Sequence, residues 1–295
     1  MGKNAVLFVN LNKEKAKDCA CEIKTELEKR KYKVTIFSYD GIPENTPEGK
    51  WDIAFSLGGD GTVLYTARCL APVKVPILPV NLGSLGFIAG VNSNDWLEVF
   101  NQWERGNIKL SRRCMLEISV ERKSEIIMKN ICLNDVVITA NGIARLINLD
   151  VHINSDSGVT SLGFYRCDGL IAATPTGSSA YSMAAGGPIM DPEMDAMILN
   201  PICPFTLSNR PVVLPSNQKL AITVAKEQRT SILLTVDGQV MFDLEISDKI
   251  YIQQSINPAL LIYTGMNSYY SVLRSKLFGF ENNTGMDYYR GAADA

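Results

Sequence analysis

Residues 53–64 join a short apolar run to a glycine-rich turn that contains a carboxylate. The run, residues 53–57, is followed by Gly58-Gly59-Asp60-Gly61 and then by residues 62–64. A strand, a glycine turn and a helix in this order can form a phosphate site, because glycine lets the backbone approach a ligand and a helix start has free N–H groups. The alternative is a tight turn in which Asp60 caps the helix. A carboxylate beside phosphate is unfavourable unless it accepts a proton or helps to hold a metal ion.

The first hundred residues alternate between strand-like and helix-like patterns. We predict strands at 5–9, 33–38, 53–57 and 75–80, and helices at 13–30, 62–70 and 95–105. This order predicts a Rossmann-like, doubly wound α/β domain with a parallel sheet over residues 1–106. Ligands of such domains bind beyond the carboxyl ends of the strands, where the glycine turn and residues 81–87 begin. The G-x-G-x-x-G pattern of standard dinucleotide-binding domains is absent.

After residue 106 the pattern changes to short strands with alternating apolar residues, separated by turn residues. We predict a β-rich second domain over residues 107–263, with one helical insertion near 178–185. The segment 264–295 has apolar residues at helical spacing from Tyr269 to Leu277. We expect that helix to return to the first domain.

The composition argues against binding to nucleic acid or to membranes and against secretion. The 295 residues have a formal net charge of −2, so the chain has no general electrostatic attraction to nucleic acid or to anionic membranes. No apolar stretch approaches the roughly 20 residues that span a bilayer. The first residues also contain too short an apolar run for a signal peptide. We therefore predict a cytoplasmic protein that captures any anionic substrate at a local site.

The cysteines and the histidine limit the chemistry further. The seven cysteines contain no C-x-x-C pattern, which favours reduced thiols in the core over disulfides. The single histidine, His152, lies in an alternating segment, where a solvated strand position is expected. With this one histidine, the chain has few residues from which to build a Ser-His-Asp site or a zinc site. A participating metal ion should be a hard cation on oxygen ligands, with Mg²⁺ as the first choice.

Three further segments carry polar groups at the ends of strands, and each has a structural alternative. Residues 168–187 run from a strand into a Thr-Pro-Thr-Gly turn and a small-residue helix, which suits either a ligand or close helix–sheet packing. Asn134 and Asp135 stand before an apolar strand and are either ligand groups or a strand entry. Asp237-Gly238 is typical of a hairpin turn. Arg145 and Arg166 either bind a pyrophosphate or solvate the surface.

Together these segments resemble the NAD kinases over essentially the whole chain. The matching segments are GGDGT at 58–62, NLGSLGF at 81–87, LND at 133–135, DGLIAATPTGSSAYSMAAGG at 168–187 and DGQ at 237–239. GGDGT alone is ambiguous, because diacylglycerol kinases, sphingosine kinases and phosphofructokinases have a version of it. The resemblance implies transfer of phosphate from ATP or polyphosphate to the adenosine-ribose 2′-hydroxyl of NAD⁺, which gives NADP⁺. It also implies Mg²⁺ and a homodimer or homotetramer.

The resemblance assigns a role to each matching residue. Asp60 is the expected general base. The phosphate donor is expected at Gly58, Gly59, Gly61 and Thr62. NAD⁺ is expected at Asp60, Gly61, Phe87, Asn134, Asp135, Arg145, Arg166, Asp168, Ser179, Ala180, Tyr181, Ser182, Met183, Ala184 and Gln239.

Two positions depart from the family pattern. Asp135 stands where Glu is more common, so it reaches one methylene less far, and Ser179 stands where Thr is usual. Two other functions are compatible with parts of the pattern. One is a kinase of the same superfamily that acts on a lipid or a sugar, and the other is a nucleotide sensor without catalytic activity. Segments outside GGDGT argue against the first, and Asp60 argues against the second.

Overall fold

The structure is a computed structural model and describes residues 2–41, 43, 46–83, 86–142, 145–155, 158–206, 208–263 and 269–278. The strands are β1 Asn4–Asn10, β2 Lys33–Tyr39, β3 Ile53–Gly58, β4 Ile77–Asn81, β5 Val91–Asn92, β6 Leu110–Arg113, β7 Leu116–Arg122, β8 Glu125–Cys132, β9 Asp135–Ala140, β10 Ile147–Ser155, β11 Gly158–Cys167, β12 Gly169–Ala173, β13 Ala196–Ile202, β14 Val212–Pro215, β15 Lys219–Val224, β16 Ile232–Val236, β17 Val240–Leu244, β18 Lys249–Gln254 and β19 Ala259–Ile262. The helices are α1 Ala16–Lys29, α2 Asp60–Leu70, α3 Trp96–Glu104, α4 Tyr181–Ala184 and α5 Tyr269–Phe278.

The first part of the chain is a doubly wound α/β domain, as predicted. β1, β2, β3 and β4 are parallel and stand in the order β2-β1-β3-β4. Alternate residues of β1 face opposite layers, since Leu7 packs with α1 and α3 whereas Phe8 packs with α2. β4 begins at Ile77 rather than at 75, because a short 3₁₀ helix, Ala71–Val73, precedes it.

Two strands from the later part of the chain complete this first sheet. β19 pairs in parallel with β4, and β6 pairs antiparallel with β19. β5 pairs with the same edge of β4, nearer its carboxyl end. Both β6 and β19 lie within the expected β-rich segment 107–263, whose two ends therefore contribute to the first sheet. The domain limits themselves stay a prediction.

The remaining strands form two six-stranded antiparallel sheets. Their orders are β11-β10-β15-β18-β7-β8 and β14-β13-β12-β9-β16-β17. One apolar core lies between them and takes residues from both sheets, such as Leu149 from β10 and Leu170 from β12. Ile171 and Ala173 of β12 face a smaller apolar cluster on the opposite side. The β-rich prediction is therefore confirmed as a sandwich of two sheets.

The helical insertion predicted near 178–185 is present, but it is divided into two short pieces. The chain forms a 3₁₀ turn, Thr176–Ser179, and then the four-residue helix α4. Ala180 separates the two because its backbone is not helical, with φ −99° and ψ −130°. The anion site that a longer helix start would have offered is therefore absent from this part of the described chain.

The last described helix, α5, returns to the first domain as predicted. The ring of Tyr269 lies 6.1 Å from that of Phe87, and the Lys276 ammonium lies 5.4 Å from the same ring. α5 also contacts the β-rich part, since the Tyr270 hydroxyl donates a hydrogen bond of 2.8 Å to Asp191. None of the helices in the described ranges has the length and apolarity to cross a bilayer.

The cysteines and the histidine lie as the sequence predicted. All seven cysteines are free, and four of them are buried, namely Cys19, Cys114, Cys132 and Cys167. Burial raises the pKa of each of these four thiols, which keeps them protonated. His152 lies on β10, 3.1 Å from the Asp150 carboxylate.

Candidate active site

The glycine turn joins the end of β3 to the start of α2. Gly58 ends the strand, and a Cβ atom at this position would overlap the Thr62 side chain. Gly59 precedes the helix, and its carbonyl accepts hydrogen bonds from the N–H groups of Thr62 (2.9 Å) and Val63 (3.3 Å). No heavy atom lies within 4 Å of a Cβ built on Gly59. The turn therefore requires glycine at 58 for packing and leaves open space at 59.

Asp60 does not cap its own helix, so the capping alternative is wrong. Its carboxylate accepts three hydrogen bonds from the loop after β4, from the N–H groups of Phe87 (2.9 Å), Ile88 (3.1 Å) and Ala89 (2.8 Å). A Cβ atom at Gly86 would overlap this carboxylate. Asp60 is therefore held in one orientation by backbone. Ser84 and Leu85 of the NLGSLGF segment lie outside the described residues.

A cavity of about 350 Å³, which we call the turn cavity, opens beside the glycine turn. It is lined by Asn10, Lys13, Tyr39, Gly41, Pro43, Gly59, Asp60, Gly61, Thr62, Tyr65 and Gln239. Most of these residues follow the carboxyl ends of β1, β2 and β3, which is the edge predicted to bind ligands.

Lys13 is a lining residue that the sequence analysis missed. It is the one lysine or arginine among the described residues that line the turn cavity. The signal was available, because Lys13 follows the carboxyl end of β1 and β1 neighbours β3 in the sheet. Its ammonium also lies 3.9 Å from a Cβ built on Gly83, in the loop after β4. A single cation at this edge can offset charge on an anionic ligand.

A second cavity of about 430 Å³, which we call the sandwich cavity, lies beside β9 and β16 under α4. It is lined by Asn134, Asp135, Val137, Thr139, Ala180, Tyr181, Thr235, Asp237 and Gly238. The predicted residues Asn134, Asp135, Ala180 and Tyr181 are thus brought together. Tyr181 is about half exposed, and its ring forms one wall.

The turn at 174–177 packs directly on Asn134. The Thr174 N–H donates to the Asn134 carbonyl at 2.8 Å, and the Thr174 hydroxyl donates to the Leu133 carbonyl at 2.5 Å. A Cβ atom at Gly177 would overlap the Asn134 backbone. The Thr-Pro-Thr-Gly sequence therefore supports the Asn134 side of the sandwich cavity.

Two buried oxygens at this junction have no hydrogen-bond partner among the residues that the structure describes. They are Asn134 Oδ1 and Thr176 Oγ1. An unpaired buried polar atom costs free energy, so each is a site at which a ligand's hydrogen-bonding group would be stabilised. Thr176 was not among the predicted ligand residues.

Two buried carboxylates stand close together at the sandwich cavity. Burial and the neighbouring charge of Asp237 raise the pKa of Asp135 to about 7. Burial also raises the pKa of Asp237, although the Arg68 guanidinium at 2.9 Å opposes that rise. Asp135 therefore changes its charge near neutral pH.

The 237–239 turn is a hairpin between β16 and β17, as predicted, and it also separates the two cavities. Asp237 and Gly238 line the sandwich cavity, whereas Gln239 lines the turn cavity. The amide of Gln239 donates a hydrogen bond of 2.8 Å to the Gly61 carbonyl. The hairpin therefore links the β-rich part to α2.

Other residues around α4 lie beside the sandwich cavity without lining it. The Ser179 hydroxyl is buried and donates to the Thr176 carbonyl at 3.2 Å. Ser182 is fully buried, and its carbonyl accepts a hydrogen bond of 2.9 Å from Asn200. Met183 and Ala184 follow in α4, and neither is among the described lining residues. Phe87 lies against α5 instead.

Arg145 and Arg166 are not brought to the Asn134 side. Both line a separate cavity of about 460 Å³, together with Arg229, Glu227 and others. The Arg166 guanidinium also lies 4.7 Å from the ring of Phe205. Asp168 lies between β11 and β12, where its N–H donates to the Ile202 carbonyl at 3.0 Å, and it lines none of the three cavities.

No group of three or more His, Cys, Asp or Glu side chains is arranged to hold a metal ion within the ranges that the structure describes. The carboxylates nearest the two cavities are Asp60, Asp135 and Asp237. Asp60 accepts three N–H bonds, and Asp237 is paired with Arg68.

Two family profiles match the chain. The ATP-NAD kinase N-terminal domain matches residues 9–108, and the ATP-NAD kinase C-terminal domain matches residues 133–264. An NAD kinase of Treponema denticola is 42% identical over 277 residues, which cover 93% of this chain and 96% of that protein. An NAD kinase of Geobacter sulfurreducens is 39% identical over 236 residues, which cover 80% and 81%.

Solved structures are similar as well. A yeast NADH kinase complexed with NADH has the same fold, with a TM-score of 0.82, 24% identity and coverage of 97% of this chain and 90% of that one. An NAD kinase from Archaeoglobus fulgidus in complex with ATP has a TM-score of 0.68 and 25% identity, with coverage of 94% and 97%.

Proposed function

The chain belongs to the NAD kinase family and is a phosphotransferase, and we propose that it transfers the terminal phosphate of ATP to the adenosine-ribose 2′-hydroxyl of NAD⁺. The product is NADP⁺. The two relatives named NAD kinase, at 42% and 39% identity, support the acceptor. The Archaeoglobus fulgidus NAD kinase was solved in complex with ATP, which supports the donor.

One observation carries this proposal: two cavities lie on either side of the 237–239 turn, and a fixed carboxylate lines one of them. The turn cavity contains Asp60 and the glycine turn, and the sandwich cavity contains Asn134 and Asp135. Phosphoryl transfer needs a donor and an acceptor held side by side, with a base at the attacking oxygen. Two cavities that share the 237–239 turn, each with a carboxylate in its lining, support such an arrangement.

We assign the triphosphate to the turn cavity. Its binding groups would be the backbone N–H groups of Gly59 and Gly61 and the Lys13 ammonium, because glycine turns at helix starts favour anions. The acceptor's adenosine is assigned to the sandwich cavity. There Asn134 and Asp135 would bind ribose hydroxyls, and the Tyr181 ring would pack against a flat base.

Asp60 is assigned as the general base. A ribose hydroxyl is a weak nucleophile, so transfer of its proton to a carboxylate assists the attack. The new O–P bond forms on the 2′-oxygen while the bond to the ADP oxygen breaks, and ADP leaves with that electron pair. A carboxylate has about four lone-pair sites. The three N–H bonds to Asp60 leave one of them for the hydroxyl proton.

Mg²⁺ is part of the proposal as a companion of the phosphate donor. In phosphoryl-transfer sites this ion is held mainly by substrate phosphates and water, with only one or two protein carboxylates. Such binding requires no cluster of three acidic side chains. When bound, Mg²⁺ would offset the negative charge of the triphosphate.

Three further points stay predictions from the resemblance. Polyphosphate is a possible second donor, the protein is expected in the cytoplasm, and a homodimer or homotetramer is expected. Arg145, Arg166 and Asp168, which lie away from the sandwich cavity, are assigned to the far half of NAD⁺ or to a neighbouring copy's site.

The experiment that tests the function is a coupled assay with purified protein, NAD⁺, ATP and Mg²⁺, read through an NADP-specific dehydrogenase. We expect continuous NADP⁺ formation. The same protein with a diacylglycerol or with fructose 6-phosphate as the acceptor should consume no ATP. ATP consumption with those acceptors and none with NAD⁺ would contradict the proposal. If ATP fails as donor, polyphosphate is the next to be tested.

A further inference from the structure

Arg68, in α2, binds two residues of the 237–239 turn. One of them lines the sandwich cavity and the other lines the turn cavity. The Arg68 Nη1 atom donates to Asp237 Oδ2 at 2.9 Å, and Nη2 donates to Gln239 Oε1 at 2.5 Å. The side chain of Arg68 is 9% exposed and that of Asp237 is 0% exposed. The planar guanidinium thus fixes two residues of one turn at once.

Asp237 in turn binds the backbone at the sandwich cavity, which is the acceptor side. Its carboxylate also accepts the backbone N–H groups of Leu133 (3.2 Å), Asn134 (2.8 Å) and Asp135 (3.3 Å). In return, the Asp237 N–H donates to the Asp135 carbonyl at 2.9 Å. The backbone that carries Asn134 and Asp135 is therefore anchored to the carboxylate that Arg68 holds.

Gln239 connects Arg68 to the glycine turn at the turn cavity, which is the donor side. While its oxygen accepts from Arg68, its amide nitrogen donates to the Gly61 carbonyl, next to Asp60. Gly61 and Arg68 are seven residues apart, so they lie on one face of α2, two turns from each other. Helical side chains lean toward the N-terminus, which brings the Arg68 guanidinium toward the same turn.

We propose that Arg68 is a positioning residue for phosphoryl transfer, which holds the sandwich cavity in register with Asp60 and the turn cavity. This inference rests on the proposed function. A misplacement of about 1 Å at a reacting centre can lower a rate on the order of 10²-fold. A buried ion pair adds little net stability, because both ions lose their hydration. Fixed geometry is therefore the main contribution of this pair.

The experiment compares Arg68→Lys, Gln239→Ala and the double variant with the wild type. Lysine keeps a charge for Asp237 but has no second arm for Gln239. We expect Arg68→Lys to lower kcat about tenfold, the effect of losing one charge-assisted hydrogen bond. Gln239→Ala should cost much less in the Arg68→Lys background than in the wild type, because the two residues act through one contact.

Arg122→Lys is the matched control. Arg122 also binds a buried aspartate with two arms, at 2.7 and 2.9 Å from the Asp248 carboxylate, but it lines neither cavity. The Arg122→Lys substitution should lower the melting temperature and leave kcat within about twofold of wild type. A merely structural Arg68 would behave in the same way. Gln239→Ala removes no buried charge, so it provides the test if Arg68→Lys does not fold, and it should lower kcat about threefold.

Two results would overturn the proposal. One is kcat within about twofold of wild type in folded Arg68→Lys. The other is the same fold-loss for Gln239→Ala in both backgrounds. Calorimetric binding of NAD⁺ to the same proteins separates this inference from the proposed function. A wild type that binds NAD⁺ but forms no NADP⁺ contradicts the reaction alone, and weaker NAD⁺ binding in Arg68→Lys than in Arg122→Lys would still support Arg68 as a positioning residue.

Discussion

The turn cavity and the sandwich cavity are built from different parts of the chain and from different kinds of residue. Most of the described residues that line the turn cavity, three glycines among them, lie at or shortly after the carboxyl ends of the parallel strands β1, β2 and β3. The sandwich cavity depends on the buried carboxylates of Asp135 and Asp237 and on the buried Oδ1 atom of Asn134, from segments about a hundred residues apart. The difference teaches that backbone sites are encoded locally, whereas buried polar side chains need partners from elsewhere in the fold.

Glycines show the same contrast. A Cβ atom at Gly59, in the turn cavity, meets nothing within 4 Å, whereas one at Gly177 overlaps the Asn134 backbone. The first glycine leaves room for a ligand, and the second leaves room for the protein itself. Substitutions at the two positions should therefore fail in different ways.

Among the variants that compare the two cavities, the largest expected effect is that of Gly177→Ala. The added methyl group must push Asn134 aside, so we expect a loss of about 1–3 kcal/mol in the free energy of unfolding. The Kd for NAD⁺ should rise about tenfold or more, because the Asn134 side chain moves with its backbone. Denaturant unfolding and calorimetry measure the two quantities.

Gly59→Ala is the matched comparison for stability. Its backbone, at φ −113° and ψ −167°, is open to any residue. We expect a change of less than about 1 kcal/mol in the free energy of unfolding. Equal losses of stability in the two variants would remove the contrast between the cavities.

The next effect in size separates donor from acceptor binding. Lys13→Met removes the one cation among the described residues that line the turn cavity. We expect the KM for ATP to rise about tenfold, as for the loss of one charge-assisted hydrogen bond. The Kd for NAD⁺ should not change, and Lys13→Arg should restore most of the affinity for ATP.

Lys17→Met is the control for Lys13→Met, since Lys17 is exposed on α1 and lines neither cavity. It should leave both constants unchanged. A rise in the NAD⁺ Kd of Lys13→Met, with no change in the KM for ATP, would contradict the assignment of the two cavities.

The smallest effect is a pH dependence at the sandwich cavity. The pKa of Asp135 is raised to about 7 by burial and by Asp237, so Asp135 takes up a proton as pH falls through that value. A carboxylate is the better acceptor for ribose hydroxyls, so the Kd for NAD⁺ should fall about threefold from about pH 6 to about pH 8. Calorimetry at several pH values measures this, and Asp135→Asn should abolish it.

The contribution of Asp135 to stability should decrease with rising pH, whereas the affinity for NAD⁺ should increase. Below pH 7 the folded protein keeps a proton on Asp135 that the unfolded chain has released, since its pKa in the unfolded state is near the ordinary value of 3.8. The contribution of Asp135 therefore makes the free energy of unfolding fall as pH rises from about 4 to about 7. A Kd for NAD⁺ that rises with pH would contradict this account of Asp135.

Local sequence was sufficient for the strands and the glycine turn beside the turn cavity, although not for Lys13. The apolar runs predicted β1 and β3, and the glycines after residue 57 predicted the phosphate-type turn. All of these features lie within a few residues of each other, where backbone preferences decide the structure. Even here, the pattern did not reveal that Asp60 binds the loop after β4, because the three N–H donors lie 27–29 residues away.

Local sequence was insufficient for the sandwich cavity. Asp237-Gly238 was read as a hairpin turn, which is correct, but the burial of Asp237 against Arg68, 169 residues away, follows only from the fold. The helical insertion predicted near 178–185 is divided into two short pieces for a similar reason. The small residues favour a helix, but Gly177 packs on Asn134 and Ala180 leaves helical geometry. Contacts between distant segments overrode the local pattern.

The most direct test of the account is the kcat of Asp60→Asn with NAD⁺ and ATP, measured beside its Kd for NAD⁺. Asparagine keeps one oxygen for the N–H groups of Ile88 and Ala89, whereas its NH₂ group cannot accept from the Phe87 N–H. Two of the three hydrogen bonds to the loop after β4 therefore remain, and the loop should hold its place. We expect kcat to fall at least about 10²-fold, with the Kd for NAD⁺ within about threefold of wild type. A folded variant that binds NAD⁺ and loses less than about threefold in kcat would contradict Asp60 as the base.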